Sequence, residues 1–110
     1  MTQKELSKLL HDIDCPVSEG VSSIKNEKVF PRIDYWEMLW EDVMASGDDY
    51  SQEITWQISF YAKHPRDPKL MELKELLNEL GYHPTIAHEY VIEERVWHSY
   101  FSITTDAESL

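Results

Sequence analysis

Cysteine, glycine and positive charge are scarce in this chain. Cys15 is the only cysteine among 110 residues, which excludes an internal disulfide and any multi-cysteine zinc site and fits a reducing compartment. Only 3 glycines are present, and none lies in a spacing that cradles phosphate. Lys and Arg number 10 against 21 Asp and Glu, for a formal net charge of −11. A field of that sign repels phosphate and argues against binding to a nucleic-acid backbone or an anionic membrane. No apolar run approaches the roughly 20 residues that span a bilayer, and no signal-peptide pattern opens the chain. The expectation is a soluble protein made in the cytoplasm.

What is abundant is apolar and aromatic: 42% hydrophobic and 12% aromatic residues mark a globular composition in a chain of single-domain length. The clearest stretch is Glu53 to Tyr61, where Ile54, Trp56, Ile58 and Phe60 alternate with Glu53, Thr55, Gln57, Ser59 and Tyr61. Successive strand side chains point to opposite faces, so this reads as a half-buried β-strand. Its polar face is uncharged in the middle, which suits solvent or a neighbouring subunit.

Ahead of it, Thr2-Gln3-Lys4-Glu5 has capping-box spacing, and Leu6, Leu9, Leu10 and Ile13 follow at helical intervals, so a helix is expected over 3–13. Pro16 ends it. Residues 16–29 read as a loop holding a short extended piece. From Arg32, after Pro31, a strand is expected whose two parities are both apolar: Ile33, Tyr35 and Leu39 on one, Trp36, Met38 and Trp40 on the other. Such a strand is either covered on both sides or meets another subunit with its second face. Ala45 to Asp49 is a turn by composition, closing a long hairpin over 32–61 with an exposed, mobile tip.

Downstream, Asp67-Pro68 supplies an N-cap and a first-turn proline, Leu70, Leu73, Leu77 and Leu80 form a stripe, and Gly81 sits where a left-handed cap residue belongs. A helix is expected over 68–80. A C-terminal hairpin follows over 84–105, its strands near 84–92 and 96–105, with 106–110 frayed. The fold class is therefore α+β, a single mostly antiparallel sheet with two helices packed on one face.

Chemistry is thinly signalled. His88-Glu89 lacks the second histidine of a zinc-protease helix, because position 92 is Ile. His83, His88 and His98, with Glu89, Glu93 or Glu94, would need a hairpin to gather them around a metal, and ordinary sheet histidines are the simpler reading. Cys15 has no oxyanion turn near it, and a structural thiol is the default. No catalytic residue, cofactor or metal is assigned. The aromatics carry more: Tyr35, Trp36, Trp40, Tyr50, Trp56, Phe60, Tyr61, Trp97, Tyr100 and Phe101 exceed what one face of a small sheet buries. A subunit contact and a thick two-sided core both remain open.

Phe30-Pro31-Arg32-Ile33-Asp34-Tyr35, the Ala45-Ser46-Gly47 turn, Trp56-Gln57-Ile58-Ser59-Phe60-Tyr61, the leucine-striped helix, His88-Glu89-Tyr90 and Trp97-His98-Ser99-Tyr100-Phe101 stand here in that order. The pattern, over residues 5–105, resembles the small tail-terminator or tail-completion proteins of siphophages and prophages of Gram-positive bacteria. The resemblance implies a non-enzymatic role: a ring, typically of six copies, that caps the tail tube and joins it to the head. Its partners would be further copies of itself, the tail tube protein and the head completion or connector protein. It would act in the host cytoplasm during assembly and in the virion at the head–tail junction. Other small head–tail joining proteins share the pattern, and an adaptor that binds a host or phage protein without forming a ring is the alternative. On this implication the hairpin packs between neighbours, with Tyr35, Trp36, Met38, Trp40, Tyr50, Gln57, Ser59 and Tyr61 as the expected subunit interface.

Overall fold

The computed structural model describes residues 1–20, 28–46 and 49–107. Helix α1 (Gln3–His11) starts at Thr2, whose Oγ1 accepts from the Glu5 backbone N–H at 3.2 Å, one half of the capping box. It stops two residues short of the expected end, but Ile13 stays buried with Leu6, Leu9 and Leu10. Helix α2 (Pro68–Glu79) begins at Asp67, whose carboxylate accepts from the Lys69 N–H at 2.8 Å. It ends in a Schellman motif: Gly81 has φ +89°, its N–H donates to Asn78 O at 3.0 Å, and the Tyr82 N–H donates to Leu77 O at 2.9 Å.

Five strands make one mixed sheet: β1 (Val17–Glu19), β2 (Arg32–Ser46), β3 (Asp49–Ala62), β4 (Ala87–Val91) and β5 (Val96–Ala107). Their spatial order is β1-β2-β3-β5-β4. The expected α+β class with two helices and a mostly antiparallel sheet is what forms. The extended piece inside 16–29 is β1, and it pairs parallel with β2 at Ile33, Asp34 and Tyr35. Strand β4 starts at Ala87 rather than at 84, because Pro84 has no N–H to give a ladder. The expected fraying at 106 does not occur: Asp106 and Ala107 pair with Glu53 and Gln52. Residues 108–110 lie outside the described residues, as do Gly47 and Asp48, so the expectation of a mobile hairpin tip falls there.

Both helices pack on one face of the sheet. Leu6, Leu9, Leu10, Leu70, Leu73 and Leu77 close over Ile33, Tyr35, Ile54, Trp56, Ile58, Phe60, Phe101 and Ile103. Trp56 is the centre, fully buried, with Tyr35 tilted against it at 5.4 Å between centroids. Its indole N–H donates to Thr105 Oγ1 at 2.9 Å, which satisfies a donor that water cannot reach.

The ambiguous parity of β2 has a local cause. Glu37 pairs with Trp56 and Leu39 with Thr55, so Met38 is a bulge residue. A bulge shifts the alternation by one. Before it, Ile33 and Tyr35 share the helix-covered face with Phe60 and Ile58. After it, Trp40 stands opposite Ile54 and Met44 opposite Tyr50 on that same side, while Leu39 and Val43 join Trp36 on the other. The expected common face of Trp36, Met38 and Trp40 is thereby split, with Trp40 alone on the helix side.

Candidate functional site

The second face of the sheet, which no helix among the described residues covers, carries a polar relay built from three strands. The register sets Tyr61 between Arg32 and His98, Ser59 between Asp34 and Tyr100, and Glu89 opposite His98. The His98 ring stacks on Tyr61 at 4.6 Å with planes 8° apart and leans on Tyr100 at 4.9 Å. His98 Nδ1 lies 2.8 Å from Glu89 Oε1, and Nε2 lies 2.7 Å from Ser59 Oγ. An ionised carboxylate only accepts, so Nδ1 carries the hydrogen, and in the neutral ring Nε2 accepts from the Ser59 hydroxyl. Gln57 Nε2 donates to the same hydroxyl oxygen at 3.3 Å.

The order hydroxyl, imidazole, carboxylate is that of an acyl-transfer triad. Two requirements of that chemistry are missing from the geometry. Ser59 is fully buried, so no carbonyl carbon reaches its oxygen. It also sits on a strand paired on both sides, where backbone N–H groups are committed to the ladders rather than aimed at a developing oxyanion. What the relay does is cross-link β3, β4 and β5 by side chains.

Beside it, the Arg32 guanidinium lies between the rings of Phe30, at 4.7 Å, and Tyr61, at 4.4 Å. It also pairs with Asp34 at 3.8 Å and Glu94 at 3.9 Å. Burial, reinforced by the Asp34 charge, pushes the Tyr61 hydroxyl pKa above its usual value. An open cleft of about 480 Å³ adjoins this corner, lined by Lys28, Phe30, Lys63, Glu93 and Glu94.

The residues considered for metal binding do not converge. Glu89 and His98 meet, but His88 stands opposite Ser99 on the other face, its Nδ1 2.6 Å from Ser99 Oγ. No group of three metal-ligating side chains forms among the described residues. Cys15 is half-buried, and burial pushes its thiol up to about 11, so it is protonated at neutral pH.

The eight residues expected at a subunit interface fall into two sets. Tyr35 is 4% exposed and faces the helices, its hydroxyl donating to Ser7 Oγ at 3.4 Å. Ser59 lies beneath His98 and Gln57. Neither presents surface to another molecule, because parity puts the first in the core and the relay covers the second. Trp36, Gln57 and Tyr61 are half-buried on the second face, whereas Met38, Trp40 and Tyr50 are open. Leu39 and Met44 are exposed beside them, with Trp40, Met44 and Tyr50 on the helix side of the sheet and Leu39 on the other, from 51% exposure at Met38 to 61% at Met44. Trp40 is oriented by Glu37, whose Oε2 accepts from the indole N–H at 2.9 Å.

No family model matches the chain, and no curated protein matches it significantly. Sequence reasoning missed the relay. A turn centred on Glu93-Glu94 does set Glu89 opposite His98, so half of it was accessible; Ser59 enters only through the β3–β5 register.

Proposed function

We propose that this chain is a non-enzymatic virion assembly protein of phage or prophage origin, similar to siphophage tail terminators. In this reading it caps the tail tube as a ring of copies and joins it to the head. Its partners are then itself, the tail tube protein and the head connector. It works in the host cytoplasm during assembly and ends at the head–tail junction. The observation that carries the reading is the outer half of the β2–β3 hairpin, where Met38, Leu39, Trp40, Met44 and Tyr50 are all more than half exposed. Large apolar groups left exposed along one element mark an association surface. The acidic composition is compatible with a lumen that lets DNA slide, since like charge keeps the polymer off the wall.

The test is immunogold electron microscopy of particles from an induced lysate, with antibody against this chain. Gold at the junction of head and tail is expected. Replacing Trp36 and Trp40 by Ala should abolish that labelling and give tails of unregulated length, whereas junction labelling and tail length unchanged by both substitutions refute the interface. The same exposed hairpin favours one other reading, an adaptor that binds a host or phage protein. A concentration-independent monomer never found on particles selects the adaptor.

A further inference from the structure

The proposed ring leaves open which surfaces of two copies meet. Three features of this chain bear on that question. The first is an edge of the sheet: among the described residues β1 pairs with β2 at Ile33, Asp34 and Tyr35, and no strand lies beyond Trp36 to Met44 on that side. At the opposite end of the strand order, no strand among the described residues pairs with the outer edge of β4. Unpaired edges with exposed apolar side chains are templates for another chain.

The second feature is charge. None of the chain's Lys or Arg falls between Ile33 and Ala62, while Asp34, Glu37, Glu41, Asp42, Asp48, Asp49 and Glu53 do. Two hairpins meeting across a two-fold axis would set the Glu37, Glu41 and Asp42 of one copy against the same acidic stretch of the other, which is repulsive. The third is a groove of about 390 Å³ between α2 and the approach to β4. Arg66, Lys74 and His88 line it together with Met71 and Ile86, and no carboxylate is among its lining residues. Met71 is 47% exposed.

Acidic and apolar on one edge, basic and apolar near the other: we infer that the outer β2 edge of one copy, centred on Met38, Trp40, Glu41 and Asp42, seats against the Arg66/Lys74/His88 groove of a second copy. Because the two surfaces differ and lie at opposite ends of the sheet, the contact is head-to-tail. A head-to-tail contact adds copies until rotation closes a ring. The inference rests on the assembly reading above and specifies its interface.

The test uses two full-length variants, each blunted on one side only. Glu41→Arg with Asp42→Arg reverses the hairpin, and Arg66→Glu with Lys74→Glu reverses the groove; all four side chains are exposed. Circular dichroism and thermal unfolding check that both variants fold. In sedimentation velocity over a concentration series, each variant alone is expected to weaken association by about a hundredfold or more, because like charges then face one another. An equimolar mixture is expected to regain assembly, since the intact hairpin still meets the intact groove and the reversed hairpin is again opposite in charge to the reversed groove. A groove variant that assembles like the unmodified chain overturns the inference, as does a mixture that stays monomeric.

If the unmodified chain is monomeric in solution, a photo-crosslinking residue at Trp40 in assembled particles decides. A cross-link to residues 65–91 of another copy supports the contact, and its absence overturns it. Gold at the head–tail junction with a normally assembling groove variant removes this interface alone. Assembly regained by the mixture, from a chain never found on particles, removes the phage reading alone.

Discussion

Replacing Thr105 by Val tests the account of the core at its most demanding point. The two side chains are nearly isosteric, and Thr105 is 1% exposed. Its hydroxyl oxygen is the acceptor for the Trp56 indole N–H at 2.9 Å, and it donates in turn to Ile54 O at 3.5 Å. Valine leaves the indole donor buried without a partner, which costs about 1–3 kcal/mol. Unfolding entropy of ~2.1 cal/mol/K per residue over 110 residues is about 0.23 kcal/mol/K, so a loss of ~2 kcal/mol lowers Tm by about 9 °C. Urea unfolding followed by tryptophan fluorescence, at one fixed protein concentration, measures the loss.

A double-mutant cycle isolates the bond. In a Trp56→Phe background there is no N–H to strand, so Thr105→Val should then cost less than ~0.5 kcal/mol, giving a coupling of about 1–2 kcal/mol. An equal cost in both backgrounds, or a single-variant loss below ~0.5 kcal/mol, would refute the claim that this hydrogen bond anchors Trp56.

Gly81→Ala should destabilise the chain by about 1–2 kcal/mol, because φ is +89° and a Cβ there meets no atom within 4 Å, so the whole cost is backbone strain; Gly81→Asn should cost less, by the same denaturation assay. Cys15, with its pKa raised from 9.0 to about 11, should alkylate with iodoacetamide near pH 8 roughly a hundredfold more slowly in the folded chain than in urea, as measured by mass spectrometry. The folded state holds this proton more tightly, so the thiol's contribution to stability is present below pH 9 and is lost as pH rises from about 9 to about 11.

Where the sequence was legible, the signals were short-range. Asp67-Pro68 at one end of α2 and Gly81 at the other define a helix within fifteen residues, and both caps form as their chemistry requires. The alternation from Ile54 to Phe60 marks β3 for the same reason: a period of two is carried by neighbours along the chain. Three residues show where that reach ends. Met38 looks like one more apolar strand position, yet as a bulge it sends Trp40 to the helix side, and a bulge is defined by the partner strand. Tyr35 and Ser59 read as interface candidates, but the helices close over the first and the relay over the second. Asp106 reads as a frayed end because its composition is polar; pairing with Glu53 holds it in β5.

The sequence by itself determined the α+β class, the caps and extent of α2, the central strand and the acidic, cysteine-poor character that disfavours polyanion binding. All of these rest on composition or on periodicities a few residues long. Tertiary structure alone decided the strand order, the parallel docking of β1, the bulge that divides the tryptophans, the Ser59–His98–Glu89 relay, and which apolar side chains stay open on the hairpin. Each of those depends on register between segments tens of residues apart, and a shift of one residue there exchanges the two faces of a strand without changing any local signal.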